Sequence, residues 1–170
     1  MATFREQLVY GTPFSVNIAL AGLAFDLNLL AGVESDAIDN TIDGLIDILV
    51  SGYMTTGTGP VASRAIELWA VGSRDAANWP HVFDGVASNE TITSALIKQG
   101  ICKSIWQVTP NTTSNFTYHF SGISLASAFG NFLPPKTVFF GTQSTGTALD
   151  PNANQHLLRC QPIYRQIVTV

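Results

Sequence analysis

Gly and Pro interrupt the chain every several residues, and the runs between them alternate in twos more often than they repeat every 3.6 residues. Short runs of Val, Ile, Phe, Tyr, Trp and Thr between turn residues predict strands, because alternate side chains fall on opposite faces of a sheet. Residues 14–24 set Val16, Ile18 and Leu20 against Asn17, Ala19 and Ala21, which predicts a half-buried strand. Residues 27–31 predict a second strand after a turn at Asp26, and 34–40 an acidic loop. In 45–54, Ile46, Ile48 and Val50 share a face. A helix over 39–49 competes there, but the β-branched content favours a strand. Residues 55–63 read as a loop. The clearest strand is 64–72, with Ile66, Leu68 and Ala70 opposite Glu67, Trp69 and Val71. A long loop over 73–85 follows, then a helical turn or short strand in 90–97. Further strands are expected at 100–108, 116–121, 136–141 and in one or two pieces over 156–170, broken at Pro162. A short helix is expected at 124–129 and a polar hairpin or loop at 143–154.

Eight or nine strands at hairpin spacing, with no internal repeat, predict an all-β fold: a two-sheet β-sandwich, jelly-roll-like. A closed barrel is the competing arrangement. Residues 1–13 are expected to form an N-terminal arm, with a short arm or a first helical turn over 1–10, ending at Pro13, and 14–170 a single sandwich domain. A chain of 170 residues is long enough to bury a core of its own.

Charge narrows the function. Only 12% of the residues are charged while 46% are hydrophobic, about half the usual charged share. The net charge is −4 and the eight cations are scattered, so the chain has no basic footprint for nucleic acid. The longest apolar run, 18–25, is far short of the roughly 20 residues of a membrane helix, and the first residues do not read as a signal peptide. No membrane partner is expected, and the chain is expected to stay in the compartment where it is made. Cys102 and Cys160 stand in apolar contexts and are expected to be buried free thiols.

Catalytic signals are weak. His81, His119 and His156 lack metal-ligand spacing, and Asp36, Asp39, Asp43 and Asp47 lack a calcium-loop pattern, so they read as solvated side chains. There is no nucleophile elbow and no phosphate-binding loop. Three glycosylation sequons, at Asn89, Asn111 and Asn115, are discounted in the absence of an export signal. The expectation is no enzyme activity, no cofactor and no metal. A β-barrel enzyme or carrier of the cupin or lipocalin kind is a third reading, but the metal site of a cupin needs clustered His and Glu, which the chain lacks. Trp69 and Trp106 lie within strands and read as packing residues. Trp79, in a loop beside Pro80, is the best candidate for an exposed aromatic, against the alternative of a plug folded over the sheet.

Three strings set the texture of the chain: Met1-Ala2-Thr3-Phe4-Arg5-Glu6-Gln7, Ser63-Arg64-Ala65-Ile66-Glu67-Leu68-Trp69, and Phe140-Gly141-Thr142-Gln143-Ser144-Thr145-Gly146-Thr147-Ala148-Leu149. Together they resemble small virion proteins of tailed bacteriophages, in particular β-sandwich cement or decoration proteins on the outside of the capsid. The resemblance implies a structural protein of the virion, folded in the host cytoplasm, a homodimer or homotrimer bound to the major capsid protein, and no catalysis. The low-charge surface agrees, since subunits then pack without desolvating many ions. The expected interface residues are Phe4, Leu8 and Tyr10 of the arm, and Trp79. The alternative is a tail- or fibre-associated module that binds carbohydrate through Trp79.

Overall fold

The structure, a computed structural model, describes residues 4–42 and 44–169. Along them run β1 (Phe4–Tyr10), β2 (Phe14–Ser15), β3 (Ala31–Glu34), β4 (Ile38–Asp39), β5 (Asp47–Thr55), β6 (Ile66–Gly72), β7 (Asn89–Thr91), α1 (Ala95–Ile101), β8 (Cys102–Val108), β9 (Thr117–Ser124), α2 (Leu125–Ala128), β10 (Lys136–Gln143) and, after a 3-10 turn (Ala153–Gln155), β11 (Leu157–Thr169).

These strands make two antiparallel sheets packed face to face. One has the order β1-β11-β5-β9, with β2 continuing β1 along β11. The other has the order β7-β3-β10-β6-β8, with β4 continuing β3 along β10. The pairings are nested. The first strand lies on the last, β3 and β4 on β10, β5 on β9, and β6 on β8. One long hairpin has been rolled up, which is the jelly-roll winding. The expected two-sheet sandwich is therefore the fold.

The main core fills the space between the sheets. Ile48, Val50, Met54, Leu158 and Cys160 face it from the first sheet, and Val33, Leu68, Ala70 and Phe139 from the second. Trp106 on β8 stacks on Phe120 on β9 with centroids 4.7 Å apart, joining the sheets at a corner. A second cluster lies on the far side of β6 and β10, where Val71, Val138 and Phe140 are covered by Phe83, Ile92 and Cys102. Two apolar clusters explain why β10 reads as an unbroken hydrophobic run: both its faces are buried.

Several expectations held. β5 is a strand and not a helix, β6 and β8 lie close to where alternation put them, and 124–129 holds α2. Others did not. Residues 14–24 hold only the two-residue β2 and one bridge from Ile18 to Ser35. The chain turns at Gly22, in the left-handed region at φ 68°, so the alternating pattern there serves a loop packed on the core. Asp26 does make a turn, but it carries the chain through Leu30, because its carboxylate accepts hydrogen bonds from the amides of Asn28, Leu30 and Ala31. The strand starts only at Ala31. The acidic loop is displaced too: Glu34 is fully buried at the end of β3, and β4 follows. Residues 90–97 hold the end of β7 and the start of α1, which runs on to Ile101.

Pro162 does not break the last strand. Its carbonyl accepts from the Gly11 amide, so its missing N–H also points toward residues 11–13, where β1 gives way to β2 and no ladder bond is needed.

Candidate functional site

β5 pairs with β11 only as far as Ile163, and β1 continues alone alongside Ile163–Thr169. The result is a two-stranded arm that outruns the sandwich by six residues, roughly 20 Å. Its register places Phe4, Glu6, Leu8 and Tyr10 on one face with Ile163, Arg165 and Ile167. Arg5, Gln7 and Val9 share the other with Tyr164, Gln166 and Val168. The first face is apolar and open to solvent: Phe4 is 68% exposed, Leu8 57%, Tyr10 61% and Ile167 67%. An isolated two-stranded ribbon is marginal in water, so such a face is unusual without a partner. Glu6 and Arg165 form the one charged pair upon it, at 3.9 Å and exposed.

The arm's root is set by close packing. A Cβ on Gly11 would lie 2.6 Å from the Tyr164 ring and 2.9 Å from the ring of Pro162. Tyr164 itself packs against the main core. Only glycine lets β1 lie this close to β11 where the arm leaves the domain.

Beside that root, between the edges of the two sheets, opens a cleft of about 530 Å³. One wall comes from the first sheet, with Phe14, Val16, Pro162 and Tyr164. The other comes from the second, with Asp36, Ile38 and Asp39. Neither Lys nor Arg lines it among the described residues. Asp36 accepts hydrogen bonds from the side-chain amide of Asn17 (2.7 Å) and the Ala87 backbone amide (2.9 Å), which hold its pKa below the usual carboxylate range. Asp39 is lowered chiefly by Thr41, whose hydroxyl and amide both donate to it, and Lys136 stands 3.5 Å away. Asp36 is thus the carboxylate of this cleft that no cation neutralises. Asp47 caps α2 through the Ala126 amide at 2.8 Å, while Asp43 lies outside the described residues.

No known family model matches this chain, and no curated protein is similar to it. The candidate site is therefore defined by geometry alone.

The remaining candidates have local structural partners. His81 bonds to Thr93, His119 packs on Tyr53, and His156 bonds to the Asp150 carbonyl. Cys102 and Cys160 are buried free thiols whose pKa burial pushes up to about 12, which makes them poor nucleophiles. Trp79 is half-buried, packs against the second core cluster, and lies over Gly85, whose φ of 88° favours glycine and where a Cβ would come within 3.0 Å of the indole. The arm residues Phe4, Leu8 and Tyr10 are brought together on one face, and Trp79 is not part of it. Sequence reasoning missed Ile167 and Arg5, and it read Asp36 as a solvated side chain without placing it in a cleft. A strand over 156–170 was expected, but only the register shows that Ile167 completes the face begun by Phe4.

Glu34 is the unusual acid. It is fully buried, no cation bonds to it, and it accepts from the Gly85 amide (2.8 Å) and, more weakly, the Asp84 amide. Burial dominates these bonds and raises its pKa to about 7, with Asp84 and Glu90 pushing the same way. An unfolded Glu34 would release its proton near 4.5, so the folded chain binds the extra proton between these values. The contribution of Glu34 is therefore full below pH 4.5 and is lost as pH rises through 7. The slope in between approaches about 1.4 kcal/mol per pH unit. Thermal melts from pH 5 to 8 are expected to show this slope in the parent chain and not in Glu34→Gln. Parallel curves for the two would refute the assignment.

Proposed function

We propose that this chain is a structural assembly protein that acts by docking its arm, a cement or decoration protein on the outside of a tailed-phage capsid. The observation that carries the docking role is the apolar face of Phe4, Leu8, Tyr10 and Ile167, held out from a domain whose own core is already complete. Each such side chain contributes roughly 1.5–3 kcal/mol when covered, so three or four suffice for a stable contact once the cost of association is met. The scarcity of charge supports the same reading, since few ions need be desolvated at the contact. The strand edges of the arm offer further backbone donors and acceptors to a neighbour. The capsid as the surface bound rests on the likeness of the three sequence strings to phage virion proteins. The jelly-roll winding is compatible with it but hosts many other functions.

The test is co-sedimentation of the purified chain with expanded phage heads, alongside the double variant Phe4→Ser, Leu8→Ser. The parent chain is expected to bind and to raise the temperature at which the heads open. The variant, folded by its melting curve, should bind at least about tenfold more weakly. A parent chain that leaves every head preparation unbound would remove the capsid reading. Equal binding by the variant would remove the arm from it.

A further inference from the structure

The arm and the cleft are complementary to each other, but they cannot meet within one chain. β1 is held along β11 over its whole length, so its tip stays some 20 Å from the cleft at its own root. A second copy faces no such restraint. At the tip, Phe4 and Arg5 are consecutive in a strand, so they point to opposite faces. The cleft has opposite walls of matching character. Phe14, Val16, Pro162 and Tyr164 form the apolar one, and Asp36 and Asp39 stand on the other. Arg5 makes no ion pair among the described residues, and Asp36 is bonded only to neutral donors. Phe4 is among the most exposed large apolar side chains.

The geometry points to the cleft as the receptor for the arm tip of another copy of this chain, with Phe4 against the Phe14–Tyr164 wall and Arg5 against Asp36. This rests on the assembly reading above and names its homotypic contact. The contact is heterologous, one surface meeting a different one, so copies exchange arms in a pair, close into a ring or run on as an open chain according to the rotation between them. A lone glycan, metal or peptide needs neither the arm nor its arginine, whereas this arrangement covers a charge and an aromatic that the single chain leaves open.

The experiment is light scattering with size-exclusion chromatography on the full chain and on Arg5→Asp, Asp36→Arg and the double variant. The parent chain is expected to self-associate. Each single reversal should weaken association about tenfold, and the double variant should recover most of the loss by restoring the pair in swapped form. Asp36→Asn, which keeps an acceptor for the Ala87 amide, serves if Asp36→Arg fails to fold; it should weaken association in the same direction. A parent chain that is monomeric up to about 1 mM overturns the inference, as does an Arg5→Asp chain that associates as well as the parent. Head binding by a strictly monomeric parent would overturn this contact and leave the cement reading standing. Charge-swap rescue without head binding would do the reverse.

Discussion

Replacing Lys98 with alanine is expected to cost about 3–5 kcal/mol, because it leaves a buried carboxylate without its cation. Lys98 sits in the middle of α1, only 5% exposed, and its ammonium group reaches the outer face of the second sheet. There it donates to Glu67 Oε2 at 2.8 Å, to Thr142 Oγ1 at 3.2 Å and to the Leu29 carbonyl. All three of its N–H groups are used. The ring of Trp69 lies 4.8 Å from the same nitrogen, and Trp69 Nε1 donates to the Glu67 oxygen. This network ties together α1, β6, β10 and the loop before β3. Chemical denaturation should show the loss, and Lys98→Met, which keeps the stem but not the charge, should lose a similar amount. Removing both charges, with Glu67→Leu added to Lys98→Met, should recover part of the stability, since paired apolar side chains need no counter-charge there. A Lys98→Ala chain within 1 kcal/mol of the parent would show the pair to be solvated.

The second large effect is expected at Gly52, in the middle of β5. A Cβ there would stand 2.1 Å from the Leu157 carbonyl oxygen and 2.9 Å from the Phe120 ring. The first contact is with backbone on the neighbouring strand, so no side-chain rotation relieves it. The site adjoins an irregularity in the sheet, where Ser121 and Gly122 of β9 oppose the single Ser51. Gly52→Ala is expected to cost about 1–3 kcal/mol by overpacking, and Gly52→Val to exceed it and open the β5–β11 ladder. Hydrogen exchange at the Arg159 and Gln161 amides, which point toward β5, would report that opening. An alanine variant with unchanged stability would mean that the strands can separate without loss.

Sequence pattern carried the central strands because their alternation and their burial coincide. Ile66, Leu68 and Ala70 do face the core, and Ile48 and Val50 do as well. It failed where a polar group organises the backbone. Asp26 turns the chain by accepting three amides, and Glu34 is drawn inside by a loop fifty residues later, neither of which leaves a periodic trace. The arm was legible as a set of apolar anchors. Its partner was not, because pairing residues 4–10 with 163–169 is a long-range fact that no local window contains. The cleft was invisible for the same reason: its walls come from segments around 14, 37 and 163. Lys98 read as one of eight scattered cations, though it is the one that is buried.

The nested order of the strands also sets a timetable. Residues 4–10 leave the ribosome well before the strand that receives them, with residues 11–162 made in between. At ordinary rates of synthesis that interval is roughly ten to thirty seconds. Throughout it, the strand that carries Phe4, Leu8 and Tyr10 lacks its partner strand, and each nascent chain on a shared message carries an identical one. The pairing that completes the fold of one chain is therefore also the pairing that a neighbouring nascent chain could offer in its place.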